Sequence, residues 1–183
     1  MHRRCKMRER TIAREIKYAG KIITVRVDQV ELPDGKTASR EVVEHPGAAA
    51  VLAVNKAKEA FFVHQFRKAV EKELLEIPAG KLEAGEEPHV CAARELAEEV
   101  GMAANDLRLL AAFYTSPGFA AEKLYVYLAT GLHPVSSSTE DDEFLEPVRL
   151  PLSEAVRMAR SGEIEDAKTL IALLLAADLG LAT

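Results

Sequence analysis

Tryptophan is absent from this chain of 183 residues, and aromatic residues of all kinds make up only 5% of it. Cysteine is scarce as well, because the sequence holds two, Cys5 and Cys91. One lies in the polar N-terminal stretch and the other inside a predicted helix, a pair that makes neither a disulfide framework nor a zinc cluster. We therefore predict two unpaired thiols and a fold that disulfides do not hold together.

Surplus positive charge and long apolar runs are missing too. The formal net charge is -5, so no basic surface is available to neutralise the phosphates of a long nucleic acid. No stretch reaches the roughly 18 apolar residues of a membrane span, and no apolar signal region follows the basic start MHRRCKMRER. These absences predict a cytoplasmic protein with neither a nucleic-acid nor a membrane partner.

Strand patterns dominate what is present. Residues 12–32 alternate apolar and polar side chains, and Pro33 to Gly35 supply turn chemistry, which predicts a β-hairpin or small N-terminal sheet. We place this N-terminal β-segment at residues 1–45 and the main domain at 46–183. Further apolar runs, which predict a mixed sheet, are REVVEH, AAAVLAVN, AFFVHQF, LLEIPAG, RLLAAFY and KLYVYLAT.

Helical patterns occur in three places. The first runs from Glu87 to Val100, with a proline in its first turn and Gly101 to end it. The other two lie near the C-terminus, at Ser153–Ser161 and Asp166–Leu179. The last of them is apolar enough to be largely buried.

The mid-chain helix has an unusual spacing of acids. Glu95 and Glu99 lie four residues apart, so their carboxylates share one face within reach of a common cation. Arg94 and Glu98 form a second four-residue pair, which can orient a carboxylate at a metal site. Hard carboxylate oxygens select Mg²⁺ or Mn²⁺. For an isolated acidic helix, a solvated face without a metal is the commoner explanation.

The full string GKLEAGEEPHVCAARELAEEVGM decides between these explanations, because it resembles the Nudix box at every fixed position. The resemblance implies an α+β Nudix fold, a mixed β-sheet sandwiched between helices, here with a small N-terminal β-sheet segment. It also implies metal binding by Glu95, Glu99 and the carbonyl of Ala79, with Glu98 assisting. The residues that it implies hold the box together are Gly80, Glu86, Arg94 and Gly101.

Features outside the box resemble the ADP-ribose pyrophosphatase subgroup. They are a Gln-x-Arg strand end at Gln65 and Arg67, a loop formed by Ser116, Pro117 and Gly118, the box entry EIPAGKLE, and the C-terminal text GEIEDAKT. A forked guanidinium suits a phosphate or a ribose edge. The resemblance implies that these residues bind substrate and that ADP-ribose is hydrolysed to AMP and ribose 5-phosphate.

Two further expectations follow from the same resemblance. An acidic loop supplies the base that takes a proton from the attacking water; Glu143 is the first choice, with Glu140 and Asp142 as alternatives. The subgroup is typically a homodimer in which the N-terminal β-segments exchange and help to enclose the adenine. Because this chain has no tryptophan to stack on the base, Tyr18, Phe119 or an aliphatic wall would have to replace it.

Two alternatives stay open at this point. One is a Nudix pyrophosphatase for another nucleoside diphosphate sugar, such as a GDP-sugar, or for a dinucleotide. The other is a non-catalytic Nudix domain that senses a ligand. The intact carboxylates of Glu95, Glu98 and Glu99 argue against the second alternative, since a sensor does not need them.

Overall fold

The computed structural model describes residues 7–136 and 144–182. In chain order the elements are β1 (Arg10–Ala19), β2 (Thr24–Glu31), β3 (Thr37–Glu44), β4 (Ala48–Val54), β5 (Glu59–Arg67), β6 (Lys72–Glu76), β7 (Ala79–Lys81), α1 (Pro88–Val100), β8 (Met102–Tyr114), β9 (Lys123–Pro134), β10 (Leu145–Pro151), α2 (Leu152–Ser161) and α3 (Ala167–Asp178). None of the helices in the described ranges is long and apolar enough to cross a bilayer.

The chain divides into two compact units. Unit 1 comprises the residues up to Gly47 together with Tyr114–Lys123, and unit 2 comprises the remainder. The second segment joins unit 1 through Val43, whose N–H donates to the carbonyl of Phe119 (2.8 Å) and whose carbonyl accepts from Ala121 (2.9 Å). The sequence-based division at residues 45 and 46 did not include this segment in the N-terminal part, and that division stays a proposal.

In unit 1, β1, β2 and β3 form a three-stranded antiparallel sheet in that order. The predicted small N-terminal sheet is thus confirmed. Its second turn contains Gly35 at a φ of 83°, a left-handed conformation that favours glycine. Every residue of the edge strand β1 is exposed, including the apolar Ile12 and Ile16.

Unit 2 contains the larger sheet, in the order β10-β5-β4-β9-β8, with β6 paired to β5 and β7 paired to β4. Strands β4 and β9 are parallel, whereas β4 is antiparallel to β5 and β7. The predicted mixed sheet is therefore confirmed. All seven residues of β4 are buried, as expected for a central strand covered on both faces.

The two faces of β4 pack against different helices. Leu52 and its alternate neighbours belong to a core cluster with residues of α2 and α3, such as Leu152 and Leu173. Val51 and its alternate neighbours belong to a second cluster with Cys91 and Leu96 of α1. This sheet sandwiched between helices is the predicted architecture, and it fixes α1 against the centre of the sheet.

All three helices lie within one residue of their predicted bounds. Pro88 begins α1, where a missing N–H leaves no hydrogen bond unmade, and Gly101 ends it at a φ of 65°. Asp166 caps α3 by accepting a hydrogen bond from the Thr169 N–H at 2.9 Å. Local signals of this kind depend on neighbouring residues alone, so the sequence was sufficient to locate them.

One strand prediction was too simple. The run LLEIPAG is not a single strand but is divided between β6, which pairs with β5, and β7, which pairs with β4. Ile77 and Pro78 occupy the break, and Pro78 cannot donate to a strand ladder because it has no N–H. Both residues are fully buried, so the break lies inside the core.

Candidate functional site

The site is built where β7 leads into the loop before α1. Glu95 and Glu99 of α1 are only 7% and 5% exposed, although both are carboxylic acids. Burying a charged group is costly unless a partner of opposite charge or a metal compensates. This pair is therefore not the solvated acidic face that an isolated helix would present.

A single guanidinium joins three of the acids in this region. Arg94 Nη1 lies 2.7 Å from Glu95 Oε1 and 2.9 Å from Glu98 Oε2. Its Nε and Nη2 lie 3.0 and 3.1 Å from the two oxygens of Glu86. The hydrogen bond to Glu86 is the largest of the effects that raise the pKa of Arg94, and the same bond lowers the pKa of Glu86. Arg94 thus links the loop to the helix.

Strand β7 contacts both buried acids. A Cβ added at Gly80 would lie 1.7 Å from Glu95 Oε1, so only glycine leaves this carboxylate its space. One residue earlier, the Ala79 N–H donates to Glu99 Oε2 at 3.2 Å. Pairing with Ala49 and Ala50 fixes β7 to the central strand. The carboxylates are therefore positioned by backbone that the core of the sheet holds rigid.

Cys91 lies beneath this arrangement. Its side chain is fully buried, and its Sγ lies 3.5 Å from the carbonyl oxygens of Gly80 and Lys81. Burial, together with the negative charges of Glu86 and Glu95, raises its pKa to about 12. It is a free thiol, as predicted; Cys5 lies outside the described residues.

The donor set fits a hard divalent cation. Glu95, Glu98 and Glu99 bring carboxylate oxygens to one face of α1, and the cradle at Gly80 would be filled by any Cβ. Within residues 7–136 and 144–182, however, no three acids, histidines or cysteines are already arranged around a common point. Arg94 bonds to Glu95 Oε1 and Glu98 Oε2, and because each carboxylate has a second oxygen, cation binding does not require Arg94 to release either acid. The assignment of Glu95, Glu99, Glu98 and the Ala79 carbonyl as ligands stays a prediction.

Comparison with known protein families matches residues 43–173 to the NUDIX domain. This chain belongs to the Nudix family. Residues 9–43 match a second family, described as the Nucleoside diphosphate sugar hydrolase N-terminal domain. Together the two matches extend over both the small N-terminal sheet and the sandwich.

Individual relatives of this Nudix protein cover most of its length. An ADP-ribose pyrophosphatase from Bacillus subtilis (strain 168) is 48% identical over 169 residues, which are 91% of each chain. A methanol dehydrogenase activator from Bacillus methanolicus is 44% identical over 90% of each chain. Among solved structures, one described as an ADP compounds hydrolase superposes with a TM-score of 0.81 and 25% identity, covering 93% of each chain.

Arg67, predicted to bind substrate, lies in the same unit as the Nudix box. Its guanidinium makes a two-pronged pair with Glu76, at 2.7 Å for both Nε to Oε1 and Nη2 to Oε2. Glu76 is the main cause of its raised pKa, and the charges of Asp166 and Glu99 contribute. Gln65, two residues earlier on the same face of β5, is half-buried. Their role in substrate binding stays a prediction.

The loop Ser116–Gly118, also predicted to bind substrate, lies in unit 1. Pro117 and Gly118 line a groove of roughly 470 Å³ together with Arg40, Tyr114 and Phe119, among others. Phe119 and Tyr114 expose 56% and 55% of their surface. An aromatic surface is thus present beside the loop although the chain lacks tryptophan. Tyr18 lies in β1 and is also exposed.

The predicted general base falls on Glu143, with Glu140 and Asp142 as alternatives. All three lie outside the described residues. Which acid takes the proton therefore stays a prediction.

Sequence reasoning missed a buried ionic cluster in unit 2. Glu76 accepts hydrogen bonds from Arg67 and from Lys168 Nζ, and Lys168 also lies 3.1 Å from Asp166 Oδ1. Next to them, the Oγ of Thr169 accepts a hydrogen bond from the Ile77 N–H. The C-terminal text GEIEDAKT signalled Asp166, Lys168 and Thr169, but nothing in it indicated Glu76 as their partner.

Proposed function

We propose that this Nudix hydrolase cleaves the diphosphate of ADP-ribose to AMP and ribose 5-phosphate, with Mg²⁺ as cofactor and Mn²⁺ as a substitute. The observation that carries the proposal is the buried pair of Glu95, which packs against Gly80, and Glu99, which accepts from the Ala79 N–H. Support for the substrate comes from the name of the Bacillus subtilis relative and from the match of residues 9–43 to a nucleoside diphosphate sugar hydrolase domain.

In this proposal Glu95, Glu99 and the Ala79 carbonyl hold the cation, and Glu98 assists. When bound, the cation neutralises charge on the diphosphate oxygens and lowers the pKa of a water. Arg94 keeps the loop and the helix together through its bonds to Glu86. Glu143, or else Glu140, takes the proton from the attacking water when it lies within hydrogen-bonding distance.

Substrate contacts are assigned to Gln65, Arg67 and Ser116–Gly118. Glu76 engages Nε and Nη2 of Arg67, and the side chain is still 41% exposed. A guanidinium carries five N–H donors in a fixed fork, so Nη1 is the atom that we assign to a substrate phosphate. The groove beside Pro117 offers Phe119 and Tyr114 as surfaces on which a base could stack.

A homodimer is part of the proposal. Strand β1 is ten residues long, lies at a sheet edge and exposes Ile12, Ile16 and Tyr18 by 51%, 61% and 58%. An edge strand with exposed apolar side chains is a surface with which a second strand can pair. We assign residues 1–45 to dimer formation and 46–183 to the hydrolase domain, in a cytoplasmic enzyme.

Substrate competition tests the proposal. The purified chain is given ADP-ribose, GDP-mannose, NADH and diadenosine polyphosphates at equal concentration, with Mg²⁺, with Mn²⁺ or with EDTA, and nucleotide products are quantified. The expected result is that ADP-ribose has the highest kcat/KM and that EDTA abolishes turnover. If ADP-ribose ranked among the poorest substrates, the substrate assignment would be wrong; no turnover of any compound would support a sensing module instead.

A further inference from the structure

The break between β6 and β7 is held from the far end of the chain. The Ile77 N–H donates to Thr169 Oγ at 2.9 Å, although 92 residues separate the two. Ile77 and Thr169 both have no exposed surface. A buried amide without an acceptor is strongly disfavoured. Thr169 supplies Ile77 with the hydrogen-bond acceptor that a neighbouring strand supplies elsewhere in the sheet.

The orientation of the Thr169 hydroxyl is itself determined. Asp166 Oδ2 accepts from the Thr169 N–H at 2.9 Å and lies 2.5 Å from the Thr169 Oγ. Because a carboxylate can only accept, the Thr169 hydroxyl hydrogen points to Asp166. The lone pairs of the Thr169 oxygen are then available to the Ile77 N–H. Lys168 lies 3.1 Å from the other oxygen of Asp166. Serine could reproduce this arrangement, whereas valine could not.

The hydrogen bond between Ile77 and Thr169 lies only two residues before Ala79, which contacts the candidate cation site. The φ of Pro78 is fixed by its ring, and its carbonyl accepts from the Val51 N–H at 2.9 Å. The next residue, Ala79, donates to the Glu99 carboxylate at 3.2 Å. Ile77 is thus anchored by α3, Pro78 by β4 and Ala79 by α1. The ring of Pro78 also prevents rotation about φ at the middle of these three residues.

We propose that Thr169 is a positioning residue for the cation site, because it anchors Ile77 and so sets the Ala79 backbone that orients the Glu99 carboxylate. This inference rests on the proposed function only in taking the site to be a divalent-cation site. Thr169 does not touch substrate or cation. It acts through Ile77 and Ala79. Thr169 is the last residue of the GEIEDAKT segment, which lies outside the Nudix box.

Direct binding of Mn²⁺ tests the inference without relying on turnover. Electron paramagnetic resonance of free Mn²⁺ is measured in titrations of the wild-type chain, Thr169→Val, Thr169→Ser and Leu173→Ala. Groups that orient a ligand typically account for 10- to 100-fold in metal affinity. We expect Thr169→Val to weaken Mn²⁺ binding by about 10-fold and Thr169→Ser to bind as the wild type does.

Leu173→Ala is the control for general damage to α3. Leu173 is fully buried in the same helix but belongs to the apolar core, so its truncation lowers stability and should leave Mn²⁺ affinity unchanged. Equal weakening in Leu173→Ala, or wild-type affinity in Thr169→Val, would show that Thr169 only supports the fold. If Thr169→Val does not fold, Thr169→Ala removes the same acceptor and is judged by the same comparison.

Turnover separates this inference from the proposed function. ADP-ribose hydrolysis is followed for the same variants as a function of Mn²⁺ concentration. The expected change in Thr169→Val is a higher half-saturating Mn²⁺ concentration with little change in KM at saturating Mn²⁺. Weaker Mn²⁺ binding in a series that never hydrolyses ADP-ribose would uphold the role of Thr169 and refute the proposed substrate.

Discussion

Two ionic clusters in unit 2 differ in their balance of charge. Around Arg94, the carboxylates of Glu86, Glu95 and Glu98 share one guanidinium, and Glu99 lies on the same helix face. Around Glu76, the two acids Glu76 and Asp166 face two cations, Arg67 and Lys168. In these ion pairs the first cluster has three carboxylates to one cation, and the second has two of each; the charge of Glu99 also acts on Arg67.

We interpret the first cluster as the candidate cation site and the second as an ion-pair cluster that stabilises the core. In the second cluster every charge already has a partner of opposite sign. Where three carboxylates share one guanidinium, a further cation is favourable, and hard oxygen ligands favour a divalent one. Charge balance therefore distinguishes the two clusters more clearly than burial does, because both contain acids that are almost fully buried.

Breaking the balanced cluster should have the largest effect on stability. Glu76→Gln leaves Arg67 and Lys168 without the carboxylate that both contact, and Lys168 is itself 9% exposed. Removing one partner of a buried ion pair costs about 3 kcal/mol of unfolding free energy. Urea unfolding at neutral pH measures it. The control, Glu71→Gln, breaks an exposed pair with Lys68 and should cost less than about 1 kcal/mol; equal losses would contradict the comparison.

Removing one acid from the unbalanced cluster should affect catalysis instead. Glu99→Gln keeps the shape of the side chain but removes the charge, and we expect kcat for ADP-ribose to fall by about two orders of magnitude. Circular dichroism and urea unfolding should show an intact fold. Glu87→Gln removes the same charge from the exposed residue that precedes α1, and its rate should stay within about twofold of wild type. A wild-type rate in Glu99→Gln would refute the assignment of Glu99 as a metal ligand.

Filling the cradle at Gly80 should have an intermediate effect. In Gly80→Ala the ideal position of the new Cβ lies 1.7 Å from Glu95 Oε1, so the Glu95 carboxylate must move. We expect Mn²⁺ affinity to fall by about 10-fold. Gly35→Ala, in the turn between β2 and β3, serves as a control because its φ of 83° strains the new residue but its surroundings are open. It should lower stability without changing Mn²⁺ affinity, and a loss of affinity in both variants would indicate a general effect.

Local signals made much of this structure predictable from sequence. Pro88 and Gly101 delimit α1, and the four-residue spacing of Glu95 and Glu99 places both acids on one face. The pairing of Arg94 with Glu98 follows from the same spacing and is present at 2.9 Å. Each of these features depends on residues that are close in the chain.

The Glu76 cluster was not predictable in the same way. Glu76 and Lys168 are 92 positions apart, and only the packing of α3 beside the β6–β7 break brings them together. For Arg67, which is predicted to bind substrate, the Gln-x-Arg pattern showed its charge but not its partner in the fold. That partner follows from the β5–β6 register, in which Glu76 pairs with Val63, on the same face of β5 as Arg67. Contacts between residues that are close in the chain were therefore more predictable than this long-range ion pair.

Lowering the pH should reduce the difference in unfolding free energy between wild type and Glu76→Gln. Burial alone raises the pKa of Glu76, but the bonds and charges of Arg67 and Lys168 outweigh it, and the net pKa is lowered. A carboxyl with a lowered folded-state pKa stabilises the fold above its unfolded pKa of about 4.3. That stability is lost as the pH falls through the folded value, because the wild-type carboxyl then becomes neutral like the glutamine.

Urea unfolding midpoints from pH 7 down to pH 3 check this dependence. The gap between the two proteins should be constant above pH of about 5 and should narrow below it. A gap of the same size at pH 3 would show that the gap does not come from the charge of Glu76. Since the cluster around Arg94 is unchanged in both proteins, its own acid response cancels from the gap, and the narrowing reports on Glu76 and the two cations that contact it.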